Sequence, residues 1–286
     1  MLSGKFTMNK GASEKMFNFL EIKALTGVSL LEAQMYDFTY KKHSHKEYAI
    51  AITRRGIQSF HCEGHLYKVS KNGIITINPG EVHDGYSELK SGLEYQIVYI
   101  DAEIINKTVR EMYGNSFSYF HFNETVHYDN QLSYKLVDLF RAINEGNNNF
   151  LEVHTKFYDA IAGLLLRYGE LSKNPVSIKK DNFLIKRACE YIDSNAHRNI
   201  LLDDIAEEIN LSPYYFSRLF RKTTGLTPHN YLNQRRVEIA KKIINKDISL
   251  SKVAVMAGFS DQSHMNRRFK ERYGITPGQY KKAISD

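Results

Sequence analysis

The sequence predicts an α+β protein in which an antiparallel β-roll with an αα-hairpin precedes an all-α domain of two tandem helix-turn-helix units. Three observations support this expectation. At 286 residues the chain exceeds the usual size of one domain. Its first hundred residues contain short apolar runs separated by turn residues, and its last third contains an internal repeat with helical periodicity.

The composition excludes several classes of protein. With 42% hydrophobic and 25% charged residues, the chain is too apolar for wholesale disorder. No apolar run approaches the ~20 residues of a membrane span, and two cysteines are too few for a disulfide scaffold or a zinc site. Because no apolar signal segment follows the N-terminus, the sequence predicts a cytoplasmic protein without membrane segments.

Positive charge is concentrated in the C-terminal part of the chain. Residues 179–286 hold 20 Lys and Arg against 12 Asp and Glu, whereas residues 1–178 hold 19 against 20. A basic domain beside a neutral one is typical of nucleic-acid-binding proteins. Charge alone does not establish such binding, because many basic domains bind no nucleic acid.

The N-terminal region has the pattern of a β-roll. Residues 1–16 show no periodicity and indicate a mobile lead-in. Beyond them, turn residues such as Asn72-Gly73 and Pro79-Gly80 separate apolar runs about ten residues apart, which predicts an antiparallel barrel or double-sheet roll. The predicted strands are residues 28–40, 48–52, 57–62, 66–69, 74–77 and 95–100.

Two helices and a domain boundary follow the roll. Apolar residues recur at helical spacing over residues 132–143 and 150–168, with a polar tract between them. This αα-hairpin either packs wholly on the roll or leaves a face for a second subunit in a homodimer. Pro175 ends the helical pattern, because proline cannot continue a helix. The predicted domains are residues 1–171 and 182–286, joined by a linker over 172–181.

The last third of the chain contains an internal repeat. Residues 200–231 match residues 248–280 at an offset of 48 positions, which becomes 49 after one extra residue in the second copy. Each copy is one supersecondary unit, so the repeat decides the fold of this domain. Matching pairs include Leu202 with Leu250, Ala206 with Ala254, Ser212 with Ser260, Arg218 with Arg267, Phe220 with Phe269 and Gly225 with Gly274.

Each copy has the pattern of a helix-turn-helix. A first amphipathic helix ends at a residue type that adopts positive φ readily, Asn210 in one copy and Gly258 in the other. An N-cap, Ser212 or Ser260, then begins the second helix. Between the copies a Thr-Pro pair begins a helix predicted over residues 227–245, a rod of ~27 Å that would place the two second helices about one turn of duplex apart.

The outer face of each second helix carries side chains that suit the major groove of DNA. Arginine matches guanine O6 and N7, and asparagine or glutamine amides match adenine. Duplex DNA fits better than RNA, whose major groove is too narrow for a helix. The alternative is an ordinary exposed polar face. The predicted DNA-binding residues are Tyr214, Ser217, Arg218 and Arg221 in the first copy, and Gln262, Ser263, Asn266, Arg267 and Lys270 in the second.

Residues 183–282 resemble the DNA-binding domain of the AraC/XylS family of bacterial transcription regulators. The resemblance is carried by the segments LSPYYFSRLFR (211–221), AGFSDQS (257–263), GLTP (225–228) and GITP (274–277). It implies a sequence-specific regulator of transcription with RNA polymerase as a partner. It also implies base contacts by seven of the residues just named: Tyr214, Ser217, Arg218, Gln262, Ser263, Asn266 and Arg267.

A histidine-rich pattern in the N-terminal half is similar to the two cupin signatures. His43, His45 and Glu47 would share one face of a strand. His83 is the last residue of the second signature, which covers residues 73–83. The resemblance implies a cupin-like sensor domain. Metal-binding cupins place the glutamate four or five residues after the second histidine, so the histidines are candidates for pocket lining, for structural or surface roles, or for metal ligands. The predicted effector-binding residues are His43, His45, Tyr48, His83 and Tyr95, and no metal or other cofactor is predicted.

The sequence leaves three functional classes open. The leading hypothesis is a ligand-responsive activator that binds double-stranded DNA and a small-molecule effector. A second is an effector-independent regulator whose N-terminal domain only dimerises or binds a protein. A third is a cupin metalloenzyme with a regulatory domain, although the chain contains neither a Gly-x-Ser-x-Gly motif nor a phosphate-binding loop.

Overall fold

A computed structural model of the chain describes residues 16–22, 25–114, 119–144, 150–172 and 180–285. These residues form two compact units. The N-terminal unit contains the described residues of 1–39 and 45–175, and the C-terminal unit those of 40–44 and 176–285. Of the predicted lead-in only Met16 is described, and most of the predicted linker lies outside the described residues.

Antiparallel strands dominate the first part of the chain. In chain order they are β1 (Met16–Glu21), β2 (Val28–Met35), β3 (Thr39–His43), β4 (Tyr48–Arg55), β5 (Gln58–Cys62), β6 (His65–Val69), β7 (Ile74–Ile77), β8 (His83–Ser87), β9 (Leu93–Ile100), β10 (Tyr119–Phe122), β11 (Val126–His127) and β12 (Gly169–Ser172). One sheet has the order β1-β2-β9-β4-β7-β11, a second has the order β3-β8-β5-β6, and β10 pairs with β12. The predicted double-sheet roll is therefore present.

Strand β4 explains how the roll is packed. It lies between β9 and β7, and six of its eight residues are buried because both of its faces are covered. Ala49 and Ala51 pack with Phe60 and Cys62 of the second sheet. The alternate residues of β4 pack with three helices, α1 (Ala102–Tyr113), α2 (Asn130–Asn144) and α3 (Phe150–Tyr168).

The predicted αα-hairpin corresponds to α2 and α3, which pack on each other. Helix α1 is not predicted by the sequence pattern, because only Ile105, Thr108 and Val109 of its twelve residues are buried. The predicted strand 28–40 is wrong as one strand, since a bend at residues 36–38 divides it into β2 and β3. No helix in the described ranges is both long and apolar enough to cross a membrane.

The C-terminal unit is helical throughout its described part from residue 180 onward. Its helices are α4 (Lys180–Asn195), α5 (Leu202–Glu208), α6 (Pro213–Thr224), α7 (Pro228–Ile243), α8 (Leu250–Met256), α9 (Gln262–Tyr273) and α10 (Pro277–Ser285). The two helix-turn-helix copies are α5–α6 and α8–α9, with α7 between them. Each turn contains the expected residue at positive φ, Asn210 at 54° and Gly258 at 86°.

The helix caps agree with the sequence prediction at two of three positions. The hydroxyl of Ser212 accepts a hydrogen bond from the backbone N–H of Tyr215 and begins α6, and Thr227 begins α7 in the same way. The prediction of Ser260 as the cap of α9 is wrong. Asp261 is the N-cap, because its carboxylate accepts the N–H of His264 at 2.7 Å. Ser260 instead donates its hydroxyl hydrogen to Asp261.

Candidate nucleic-acid interface

The buried face of each second helix determines which of its side chains point outward. Phe216, Leu219 and Phe220 are buried in α6, and Met265 and Phe269 are buried in α9. At 3.6 residues per turn, the positions between these apolar residues lie on the opposite face. Of the predicted DNA-binding residues, Tyr214, Arg218, Arg221, Gln262, Ser263, Arg267 and Lys270 are exposed, and Ser217 and Asn266 are half-buried.

In the first copy, Tyr214 and Arg218 form a pair one helical turn apart. The guanidinium carbon of Arg218 lies 5.7 Å from the centroid of the Tyr214 ring, and an Arg218 N–H donates to the Tyr214 hydroxyl at 3.3 Å. The pair orders Arg218 and leaves other guanidinium N–H groups for an acceptor. An oriented fork of donors is what bidentate recognition of guanine O6 and N7 requires.

Tyr215 adds an apolar element that the sequence pattern does not single out. Its side chain is 51% exposed, beside Tyr214 at 72%. A large exposed aromatic residue can contact a thymine methyl group or a deoxyribose. The signal in the sequence is the Tyr-Tyr pair before Phe216, but only the structure shows that both tyrosines point outward.

In the second copy, the first turn of α9 is ordered by Asp261. Hydrogen bonds from the backbone of His264 and from the Ser260 hydroxyl lower the pKa of this carboxyl group. The ionised cap therefore holds Gln262 and Ser263 at the exposed start of the helix. Burial first, and then the charges of Arg268 and Arg267, lower the pKa of His264, which favours the neutral form of this ring.

Asn266 is less accessible than its neighbours on α9. It is half-buried, and its Oδ1 atom is buried without a hydrogen-bond partner among the described residues. With Oδ1 buried, this amide cannot present both of its polar atoms to an adenine unless the side chain moves. Gln262, Ser263 and Arg267 need no such movement.

The histidines of the N-terminal half are only partly brought together. The rings of His45 and His83 are 4.9 Å apart, and that of His45 is 5.5 Å from the ring of Tyr99. His45 donates from Nδ1 to the carbonyl of Glu47, and His83 donates likewise to Glu81, so each neutral ring has Nε2 as its acceptor.

The other predicted effector-binding residues lie elsewhere. His43 ends β3 beside the ring of Tyr40, and residues 44–47 are not a strand, so the predicted shared strand face of His43, His45 and Glu47 is wrong. Tyr48 lies on the helix-facing side of β4, where its hydroxyl donates to the carbonyl of Phe120. Tyr95 is buried on the same face of β9 as Tyr99, but four residues away, or ~13 Å along the strand.

The described residues offer neither a cluster of metal ligands nor a reactive thiol. They include no group of three or more His, Cys, Asp or Glu side chains that could hold a metal ion. Burial raises the pKa of Cys62 to about 12 and that of Cys189 to about 11. Both thiols are therefore protonated at neutral pH and poorly suited to bind metal or attack a substrate.

Comparison with known proteins supports a regulator of transcription. Two family models match the chain, an AraC-like ligand-binding domain over residues 25–161 and a helix-turn-helix domain over residues 205–283. The chain is 27% identical over 226 residues to the uncharacterized HTH-type transcriptional regulator YbfI of Bacillus subtilis, covering 79% of this chain and 81% of YbfI. It is 34% identical over 103 residues to the regulatory protein PocR of Salmonella typhimurium, covering 36% of this chain and 34% of PocR.

The fold is similar to a solved structure of nearly the same extent. The crystal structure of ToxT from Vibrio cholerae matches 91% of this chain and 99% of its own chain, with a TM-score of 0.57 and 14% identity. At this identity the likeness shows the fold alone. A ligand-binding domain followed by a paired helix-turn-helix domain, matched in sequence and in fold, assigns this chain to the AraC family of transcriptional regulators, a family of DNA-binding proteins and not of enzymes.

Proposed function

We propose that this regulator is a ligand-responsive activator that reads two sequence elements in successive major grooves of one DNA duplex. The observation that carries the proposal is the duplication itself. Helices α6 and α9 each bury one apolar face in the same unit and expose an arginine at the matching position, Arg218 and Arg267. A chain with two such helices has the groups to read two elements by itself.

The length of α7 supports reading of successive grooves. This helix has 16 residues, or about 24 Å at 1.5 Å per residue. Successive major grooves on one side of a duplex are ~34 Å apart. The length of α7 is therefore ~10 Å short of the distance between the grooves. A helix with its side chains is ~10 Å across, so the helices at each end of α7 can make up this difference.

A homodimer is the proposed assembly, and α3 offers a suitable surface. Leu151, Tyr158 and Leu166 recur at helical spacing on α3 and are 77%, 39% and 62% exposed. Exposed apolar residues arranged in a stripe are typical of helix pairing between subunits. Two copies of the chain on one promoter, in the cytoplasm, would present a larger surface to RNA polymerase, the proposed partner in activation.

We expect one effector to stabilise the N-terminal unit. His45, His83 and Tyr99 combine ring nitrogens, a hydroxyl and aromatic faces in one cluster, which suits a small planar or hydroxylated organic molecule. ToxT has been solved with an unsaturated fatty acid bound, so fatty acids belong in the panel with sugars and aromatic metabolites. The measurement is the thermal unfolding temperature with each compound. If no compound raises it, the effector-independent regulator is favoured.

Arg267→Ala is expected to weaken binding to the selected DNA by roughly 1–3 kcal/mol and to relax specificity at one base pair. The reason is that Arg267 is exposed on α9, where its guanidinium can donate to a guanine. The site is first selected from a random duplex library with the wild-type protein. Affinity is then measured for that site and for each single base-pair substitution in it.

Arg187→Ala is the matched control. It removes the same charge from α4, which is not the second helix of either helix-turn-helix copy. An equal loss of affinity for all sequences in Arg267→Ala would identify a phosphate contact instead of a base contact. Wild-type affinity should also fall steeply with salt. A protein with no selected sequence and a flat salt dependence would contradict the proposed function.

A further inference from the structure

Four charged side chains form a continuous series inside the C-terminal unit. Asp193 of α4 lies 3.9 Å from Arg235 of α7, and Arg235 lies 2.8 Å from Glu238 one turn further along α7. Glu238 lies 3.8 Å from Arg272, in the last turn of α9. We call Asp193, Arg235, Glu238 and Arg272 the charge chain. Its signs alternate from one end to the other.

Three members of the charge chain are largely enclosed by protein, and the fourth, Asp193, has a side chain that is 27% exposed. The side chains of Arg235 and Arg272 are 5% and 7% exposed, and that of Glu238 is 14% exposed. Charges at such positions are costly unless each has a partner of opposite sign in a defined place. The ring of Tyr231 lies 4.8 Å from the Arg235 guanidinium, and the Tyr231 hydroxyl donates to Asp193. The geometry is therefore strongly constrained.

The charge chain connects the two helix-turn-helix copies. Helix α4 shares an apolar core with α5 and α6, so Asp193 belongs with the first copy. Arg272 belongs to the second helix of the second copy. Arg236 of α7 also donates to the carbonyls of Ala196 and Arg198 just beyond α4, which gives α7 a second attachment on the side of the first copy.

The repeat shows that Arg272 is not needed to build a helix-turn-helix. At the offset of 49 its counterpart in the first copy is Thr223, which is exposed. An arginine that is buried in one copy and replaced by an exposed threonine in the other has a role specific to its position beside α7. At that position its ion pair with Glu238 joins α9 to α7, the helix between the two copies.

We propose that the charge chain fixes the orientation of α9 relative to α7 and the first copy, and thereby sets the spacing of the two DNA elements that the protein accepts. Arg272 and Glu238 are positioning residues in this account, since they act through α9 and contact no base. The inference rests on the proposed reading of two elements. A shift of one base pair rotates an element by about 35° around the duplex, so a rigid pair of helices discriminates sharply between spacings.

Arg272→Met tests the inference, because methionine keeps an apolar stem and removes the charge. The probes are the site selected by the wild-type protein, the same site with one base pair inserted or deleted between its elements, and the site with the second element scrambled. We expect Arg272→Met to bind the selected site ~10-fold more weakly and the scrambled site within about 2-fold of wild type. The preference for the selected spacing over the shifted ones should fall towards none.

Arg187→Met is the matched control. It removes one positive charge from an exposed ion pair in the same unit, with Glu208 at 2.8 Å and both side chains more than 40% exposed. This control should keep the wild-type spacing preference. The double variant with Glu238→Gln and Arg272→Met should lose little more of that preference than Arg272→Met alone. Both substitutions break the same ion pair, between Glu238 and Arg272.

Three outcomes separate the hypotheses. An unchanged spacing preference in Arg272→Met, or an equal loss on every duplex, overturns the role of the charge chain. Selection of only one element by the wild-type protein overturns the proposed function before any variant is measured. If Arg272→Met does not fold by circular dichroism, Arg272→Lys keeps the charge without the guanidinium fork, and the same comparison of spacings decides the case.

Discussion

Gly258→Ala is expected to lower the free energy of unfolding of the C-terminal unit by about 2–4 kcal/mol, and to weaken binding to the two-element site. Two effects add. Gly258 has a φ of 86°, a conformation in which a Cβ atom is strained. A Cβ atom would also lie 2.6 Å from the carbonyl oxygen of Ala196 and 3.0 Å from Nε of Arg236. The turn of the second copy therefore has to move away from the end of α4.

Gly278→Ala is the control for this prediction. Gly278 lies in α10, and a Cβ atom added there would have its nearest neighbour 3.8 Å away, so alanine should be neutral or stabilise by ~0.5–1 kcal/mol. Urea unfolding of the full chain, followed by circular dichroism at the helical signal, measures both variants. Equal effects of the two substitutions would show that the close approach of Gly258 to Ala196 is not important for stability.

Local features of the fold were predictable from the sequence because their causes are local. Asn210 and Gly258 occupy the turns as expected, since few residue types adopt positive φ at low cost. Ser212 caps α6 as expected, because few side chains are short and polar enough to accept a backbone N–H at the start of a helix. The prediction of Ser260 as the cap of α9 was wrong because Ser260 and Asp261 are adjacent and both residue types cap helices. Because Ser212 and Asp261 are the equivalent caps, Ser260 is the extra residue that changes the offset of the repeat from 48 to 49.

Features that depend on distant parts of the chain were not predictable. Strand β4 is buried on both faces, so alternation does not reveal that Tyr48 faces the helices while Ala49 faces the second sheet. Arg235, Glu238 and Arg272 are charged, and charged residues are expected at the surface. Their burial follows from the packing of α4, α7 and α9, which no local pattern encodes. The candidate DNA-binding face was more accessible to prediction, because the repeat defines it twice.

The truncations Phe220→Ala and Phe269→Ala are each expected to lower the free energy of unfolding by about 3–5 kcal/mol. The two residues are equivalent in the repeat, and both are fully buried. Phe220 packs on Phe216 and on Tyr231 of α7, and Phe269 packs on Tyr273 and Tyr280. Each truncation leaves a cavity that these neighbouring rings cannot fill without moving.

The two truncations also test whether the copies unfold together. Helix α7 packs against both α6 and α9. The turn at Gly258 lies so close to the Ala196 carbonyl, just beyond α4, that a Cβ atom does not fit between them. Each substitution should therefore increase amide hydrogen exchange in α6 and in α9 alike, because opening one copy removes contacts from the other. Tyr215→Ala, which removes an aromatic side chain from an exposed position on α6, should change stability by no more than ~0.5 kcal/mol. Faster exchange confined to the substituted copy would mean that the copies are independent units, and α7 would then be a tether instead of a rigid spacer between two reading helices.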